Sequence, residues 1–127
     1  MEKMNQTIKA RWVAALRSGD YTQGQGRLHA TSASGINSFC CLGVLCDLAN
    51  KENIPLNIEL HETSDGVSIL YDDDESWLPT SVAQWSGVDS QGTFNDGSDN
   101  QEFSTLAYLN DNGATFDHIA TVIEEYL

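Results

Sequence analysis

Apolar positions recur along this chain with two different periods, and the switches between them predict the elements. Met4, Ile8, Trp12, Ala15 and Leu16 fall at helical spacing, which predicts an amphipathic helix over residues 5–18. Asn5 or Thr7 can cap its start and Gly19 can end it. A loop follows through Gly26. Arg27 to Ala30 and Ile36 to Phe39 then read as a short hairpin around Ser34-Gly35. From Cys40 to Asn50 the helical period returns, with Cys41, Val44, Leu45, Leu48 and Ala49 on one face. Leu42 and Cys46 widen that face, so this helix should be buried on most sides. Pro55 stops any long continuation. Leu56, Ile58 and Leu60 next alternate with Asn57, Glu59 and His61. Val67, Ile69 and Tyr71 alternate again after Ser64-Asp65-Gly66, the pattern of a β-hairpin with one buried and one acidic face.

Trp77-Leu78-Pro79 opens a short helix that runs to about Trp85 and closes at Gly87. Residues 89–102 are rich in Asp, Gly, Ser and Asn and read as a mobile loop. Ser104 to Asn110 forms a short helix, Asp111-Asn112-Gly113 a turn, and Thr115 the cap of a last helix. Phe116, Ile119, Ala120, Ile123 and Leu127 make the apolar stripe of that helix. The expected class is α+β: a small antiparallel sheet of two β-hairpins, covered by several short helices, with a C-terminal αα-hairpin. A length of 127 residues suits one domain over residues 1–127 with one hydrophobic core.

Charge changes this picture most. Residues 1–51 hold all six basic residues against three acidic ones, a balance of +3, and residues 52–127 hold sixteen acids and no base. The total of −13 lies beyond the magnitude of about 2–8 that suffices for solubility in a small domain. Such a field repels nucleic acid and anionic membrane, so neither is an expected partner. No apolar run approaches the ~20 residues that span a bilayer. Met1 to Ala10 is polar and mixed, unlike an apolar signal segment, so a cytosolic protein is expected. Three cysteines, two of them adjacent, make no disulfide framework.

Several constellations invite a chemical reading. Cys40 and Cys41 sit where a helix begins, and a helix N-terminus lowers a thiol pKa. With His29 or His61 as base, and Gln23 or Gln25 as an oxyanion donor, they would make a cysteine hydrolase or transferase. The plainer reading is a buried helix start filled with small, soft side chains. There is no C-x-x-C and no H-E-x-x-H, so no metal and no cofactor is expected. Asp72 to Glu75 and Asp96 to Asn100 offer oxygen ligands, but neither fits an EF-hand loop. Gly24-Gln25-Gly26-Arg27 lacks the remaining elements of a phosphate-binding fingerprint. It could still form a small-ligand pocket that sequesters a nucleotide, together with Trp12, Arg17, Tyr21 and Arg27. The last two helices carry Asp117, Glu124 and Glu125 and no base, unlike a DNA-reading helix-turn-helix.

The strings Trp12 to Gly19, Tyr21 to Gly24 and Phe39 to Leu48 resemble those of a family of small bacteriophage and prophage proteins. Leu78-Pro79, Val82, Trp85, Leu109-Asn110-Asp111, Phe116 and Ile119-Ala120 extend the resemblance over nearly the whole chain. It implies an accessory protein in the cytoplasm of an infected bacterium, and it carries over no functional residue. Taken with the charge, the expected function is a non-catalytic acidic module that engages a host protein with a basic surface, for host takeover or counter-defence. Nucleic-acid mimicry is one form this could take. Glu59, Glu62, Asp72, Asp73, Asp74 and Glu75 would supply the charge, with Trp77 or Trp85 as apolar anchor.

Overall fold

The computed structural model describes residues 4–97 and 104–127. Helix α1 (Gln6–Arg17) is followed by strands β1 (His29–Ser32) and β2 (Asn37–Phe39) and helix α2 (Cys41–Lys51). Strands β3 (Ile58–Thr63) and β4 (Gly66–Tyr71) come next, then helices α3 (Thr80–Ser86), α4 (Leu106–Asp111) and α5 (Phe116–Tyr126). The class is α+β, as expected, with the C-terminal helix pair in place. The two hairpins do more than coexist. β1 pairs antiparallel with β4, which joins them into one four-stranded sheet of order β2-β1-β4-β3.

Local chemistry accounts for the helix ends. The Asn5 side chain accepts from the Thr7 and Ile8 N–H groups, and the Thr105 and Thr115 hydroxyls accept from Tyr108 and His118. Gly87 ends α3 in the left-handed region, where glycine meets no Cβ penalty. The core forms where α1, α2, α4 and α5 meet the sheet, and Trp12, Leu42, Leu45, Leu106, Ile119 and Ile123 are fully buried in it. α2 lies so close to the sheet that a Cβ on Gly43 would collide with the Leu28 carbonyl. That approach is why the helix carries a glycine in its first turn despite the cost of glycine to helix stability.

One sequence expectation needs correction. The alternation of Leu56, Ile58 and Leu60 predicts a buried face, and most of that face is open. Cross-strand partners share a face, so Phe39, His29, Ile69 and Leu60 form one row across the sheet. Phe39 is 9% exposed and Ile69 7%, whereas Leu60 is 69% exposed. Ile58, on the same face, is 42% exposed, and only Leu56 packs against the core. The physical reason is position: β3 is an outer strand whose packing is chiefly against β4. Alternation in a sequence signals a pleated face, not what covers it. The expected loop at 89–102 is irregular as far as Gly97, with Val88 and Phe94 buried beside it. Its remainder, with Ser98, Asp99 and Asn100, lies outside the described residues.

Candidate functional site

Acidic residues line β3 and the turn that follows β4. β4 runs into a tight turn in which Tyr71 and Asp74 exchange both main-chain hydrogen bonds at 3.0 Å. Asp72 and Asp73 occupy its two central positions with φ of 53° and 69°. Such a two-residue turn favours Asn-Gly or Asp-Gly, because both residues need positive φ. Two aspartates here keep a strained backbone and two charges where an uncharged, relaxed alternative exists. Asp72 accepts from the Asn57 N–H at 2.7 Å and from the Ser81 hydroxyl at 3.1 Å. It thereby ties the start of β3 to α3. Asp73 is exposed. Burial, and then the charges of Asp72 and Asp73, push the Asp74 carboxyl above the usual carboxylate range. β3 presents Glu59 close to this turn and Glu62 on its other face near the far end, with His61 3.7 Å from Glu59. Trp77 is 45% exposed; Trp85 is half-buried against the core.

The described cations leave most of this surface unpaired, because all of them but Arg27 are engaged away from it. Arg11 pairs with Glu52. Arg17 pairs with Glu124 at 2.7 Å and Asp117 at 3.3 Å and donates to the Thr121 hydroxyl, clamping α1 on α5. Glu124, near the C-terminal end of α5 where the helix dipole disfavours an acid, thus gains a cationic partner. Arg27 lies 3.6 Å from Glu75, and Lys51 lies 3.1 Å from Asp47. Lys9 donates to the Glu124 carbonyl at 3.2 Å. Arg11, Arg17 and Arg27 all reach acids beyond Lys51, so the charge segregation of the sequence is partly interleaved by folding. These pairs are largely exposed and screened by solvent, so each adds little to stability. Their effect is on the field: they take up carboxylates in and beside α2 and α5 together with Glu75 of the acidic run, and leave Glu59, Glu62, Asp73 and Asp74 without a described Lys or Arg partner.

The residues of the small-ligand reading are not brought together. Trp12 is wholly buried and its indole N–H donates to the Cys41 carbonyl at 2.9 Å. The Tyr21 hydroxyl donates to Asp47, beside Lys51. The loop itself is sewn to the α4–α5 corner. Gln23 donates to the Asn110 side chain at 2.9 Å and to the Ala114 carbonyl at 2.7 Å, and the Gly26 N–H donates to Asp111 at 2.8 Å. Asn110 is completely buried; it also accepts from the Cys41 N–H at 3.2 Å and donates to the Gly24 carbonyl at 2.7 Å. The cavity here, about 290 Å³ beside Gln23, Gly24 and Gln25, contains neither Arg17 nor Arg27. Arg27 borders a separate cleft of about 190 Å³ with Ala30, Ser38, Thr63 and Asp65. Ser68, in the cross-strand row of Ala30 and Ser38, has a buried hydroxyl with no hydrogen-bond partner.

The cysteines are packed rather than poised. The Cys40 sulfur caps α2 by accepting from the Gly43 N–H at 3.4 Å, and burial pushes its pKa up to about 11. Burial raises Cys41 and Cys46 well above the ordinary thiol value as well. His29 stacks on Phe39 with ring centroids 4.0 Å apart and bonds Tyr71 and Asn37. His61 stands exposed on β3. Neither histidine is brought to a thiol. Among the described residues no group of three or more His, Cys, Asp or Glu side chains is placed to hold a metal ion. Among them, too, no helix is long and apolar enough to cross a membrane.

A family described as a domain of unknown function, DUF8296, matches residues 4–127. The chain belongs to that family. No curated protein and no solved structure matches it. For this DUF8296 chain the function therefore has to be argued from its own surface. Two features of the structure were not legible in the sequence. The Asn110 network needs three distant segments to meet, and the residue carries no motif. The edge position of β3 depends on the β1–β4 pairing, which neither hairpin announces.

Proposed function

We propose that this protein is a non-catalytic acidic binding module that engages a basic surface of a host protein, in the cytoplasm of an infected bacterium. One observation carries the reading. Every described cation is held by a carboxylate or carbonyl of the chain, while exposed Glu59 and Glu62 flank exposed Ile58 and Leu60 along β3, and Asp73 and Asp74 lie just past the end of β4 that pairs with Ile58, ahead of exposed Trp77. Charge at a rim beside exposed apolar groups is the composition of a protein interface, and an uncompensated field of one sign accelerates encounter with its opposite. The resemblance to phage proteins supports the setting. Buried, protonated thiols give a cysteine enzyme less support, and the dispersal of Arg17, Tyr21 and Arg27 gives a nucleotide pocket less.

The test is a tagged pull-down from nuclease-treated bacterial lysate, washed at low and then moderate salt. One host protein retained at low salt and released at moderate salt is the expected result. A purified partner should then associate more slowly with a Glu59→Gln, Glu62→Gln, Asp73→Asn triple variant, by about tenfold at low salt. Asp72 is left intact because it holds the turn. Retention that ignores salt, or an unchanged association rate, sinks the proposal.

A further inference from the structure

The sheet has two edges, and the chain treats them differently. At β2 the ladder turns the main-chain groups of Asn37 and Phe39 outward, and those of Phe39 are taken up by the chain itself. Its N–H donates to the Thr22 carbonyl at 2.9 Å, and its carbonyl accepts from the Gly24 N–H at 2.7 Å. A short parallel bridge at Gln23 thus covers the Phe39 end of that edge.

No such cover lies on β3 among the described residues. The Asp72 N–H donates to the Asn57 carbonyl at 2.8 Å, and the Ala33 N–H to the Asp65 carbonyl at 3.0 Å. Given the register, these bonds fix the phase of the ladder: Glu59, His61 and Thr63 turn their main-chain groups toward β4, and Ile58, Leu60 and Glu62 turn theirs outward. No described hydrogen bond satisfies those outward groups. All six residues of β3 except Thr63 are exposed. An edge of this kind is a template for another strand, which proteins ordinarily blunt. Leu60, at 69% exposure, is the opposite of blunting.

The side chains say which strand fits. One face of β3 carries Ile58, Leu60 and Glu62, and the other Glu59, His61 and Thr63. An incoming strand that alternates apolar and cationic residues would set its apolar side chains beside Ile58 and Leu60 and its cations beside Glu59. Asp73 and Asp74 lie just past the end of β4 that pairs with Ile58. A second copy is disfavoured, since each chain carries −13.

We infer that the outward edge of β3 takes an extended cationic segment of a protein partner as a fifth strand. The inference rests on the acidic-module reading and adds its mode: main-chain pairing gives the affinity, and alternate side chains give the selection.

The experiment uses the isotope-labelled full chain and two synthetic peptides of equal charge, one alternating lysine with valine and the other lysine with glycine. Amide exchange is followed at low salt. With the Lys–Val peptide at about ten times its Kd, exchange at Ile58, Leu60 and Glu62 should slow about tenfold, and that at Glu59 and His61 should not. The Lys–Gly peptide, a poor strand former, should bind several-fold more weakly. Leu60→Pro removes one outward N–H without touching the bonds to β4, and should abolish Lys–Val binding. Leu60→Lys keeps the N–H, adds a like charge, and should weaken binding several-fold even if the proline variant misfolds. Equal, salt-sensitive binding of both peptides with no protection on β3 overturns strand addition and leaves the acidic module standing. No binding of either peptide overturns both. Protection of the same three amides that grows with protein concentration, without peptide, overturns the cationic partner in favour of a second copy.

Discussion

β2 and β3 are the two outer strands of one sheet, yet the Phe39 end of one is closed by its own chain, and the other, among the described residues, is left open with its charges and leucine outward. The closed edge costs the protein a dedicated structure: the segment 22–26, held by Gln23 and by a completely buried asparagine at position 110. The open edge lies beside a turn whose two aspartates sit in left-handed backbone. The difference shows that covering an edge is within this chain's means. Leaving β3 uncovered is therefore a property to be explained by what the edge meets.

The largest expected effect breaks the closed edge. Asn110→Ala leaves the Cys41 N–H, the Gly24 carbonyl and the Gln23 amide without their shared partner. Buried polar groups left unpaired cost about 1–3 kcal/mol each, and the segment can relax part of this, so a loss of about 3 kcal/mol is expected in urea unfolding. Exchange at the Phe39 amide should rise along with it, because the cover over β2 is released. A loss below about 0.5 kcal/mol, the range of ordinary surface substitutions, would mean that Asn110 is not the lock of that edge.

The contrast between the edges also explains what the sequence could and could not reveal. Elements defined by neighbours in sequence were readable: Asn5 and Thr115 as caps, Gly87 as a stop, the stripe from Phe116 to Leu127. So was the class of the fold. Features that need a distant partner were not. Ile58 and Leu60 alternate like a buried face, and only the β1–β4 pairing decides that they overhang. The cations look like a basic half of the molecule until Arg11, Arg17 and Arg27 meet Glu52, Glu124 and Glu75. The candidate site was legible as composition, Glu59 through Glu75, but not as an edge. Likewise, Asn110 stands within Leu109-Asn110-Asp111 with nothing local to mark it as buried.

A smaller effect sharpens the comparison at the open side. Asp73 holds φ of 69° at an exposed position. Glycine there removes both the left-handed strain and one of four consecutive acids, against the greater chain entropy that glycine loses on folding. Asp73→Gly should therefore raise stability by about 0.5 kcal/mol in urea unfolding. The same variant should bind the Lys–Val peptide more weakly, because it has lost a charge beside the edge. A stability gain coupled to a binding loss would identify strain kept for function. A gain in both would make Asp73 merely a poor turn residue.

The smallest effect is a pH dependence at Asp74. Burial and the two neighbouring aspartates raise its folded pKa above the unfolded value. The fold thus favours the protonated acid: the contribution is fully present below the unfolded pKa and is lost as pH rises through the folded one. At neutral pH the ionised Asp74 is a net penalty, so Asp74→Asn should stabilise the protein by a few tenths of a kcal/mol, roughly the range of surface changes. That advantage should shrink to nothing as pH falls below about 4, where the aspartate is itself protonated. Paired urea titrations of both proteins across this range read the sign directly. An offset independent of pH would assign the effect to shape rather than charge. A cationic strand on β3 would relieve the same penalty, so saturating Lys–Val peptide should narrow the neutral-pH gap between the two proteins, and the Lys–Gly peptide should narrow it less.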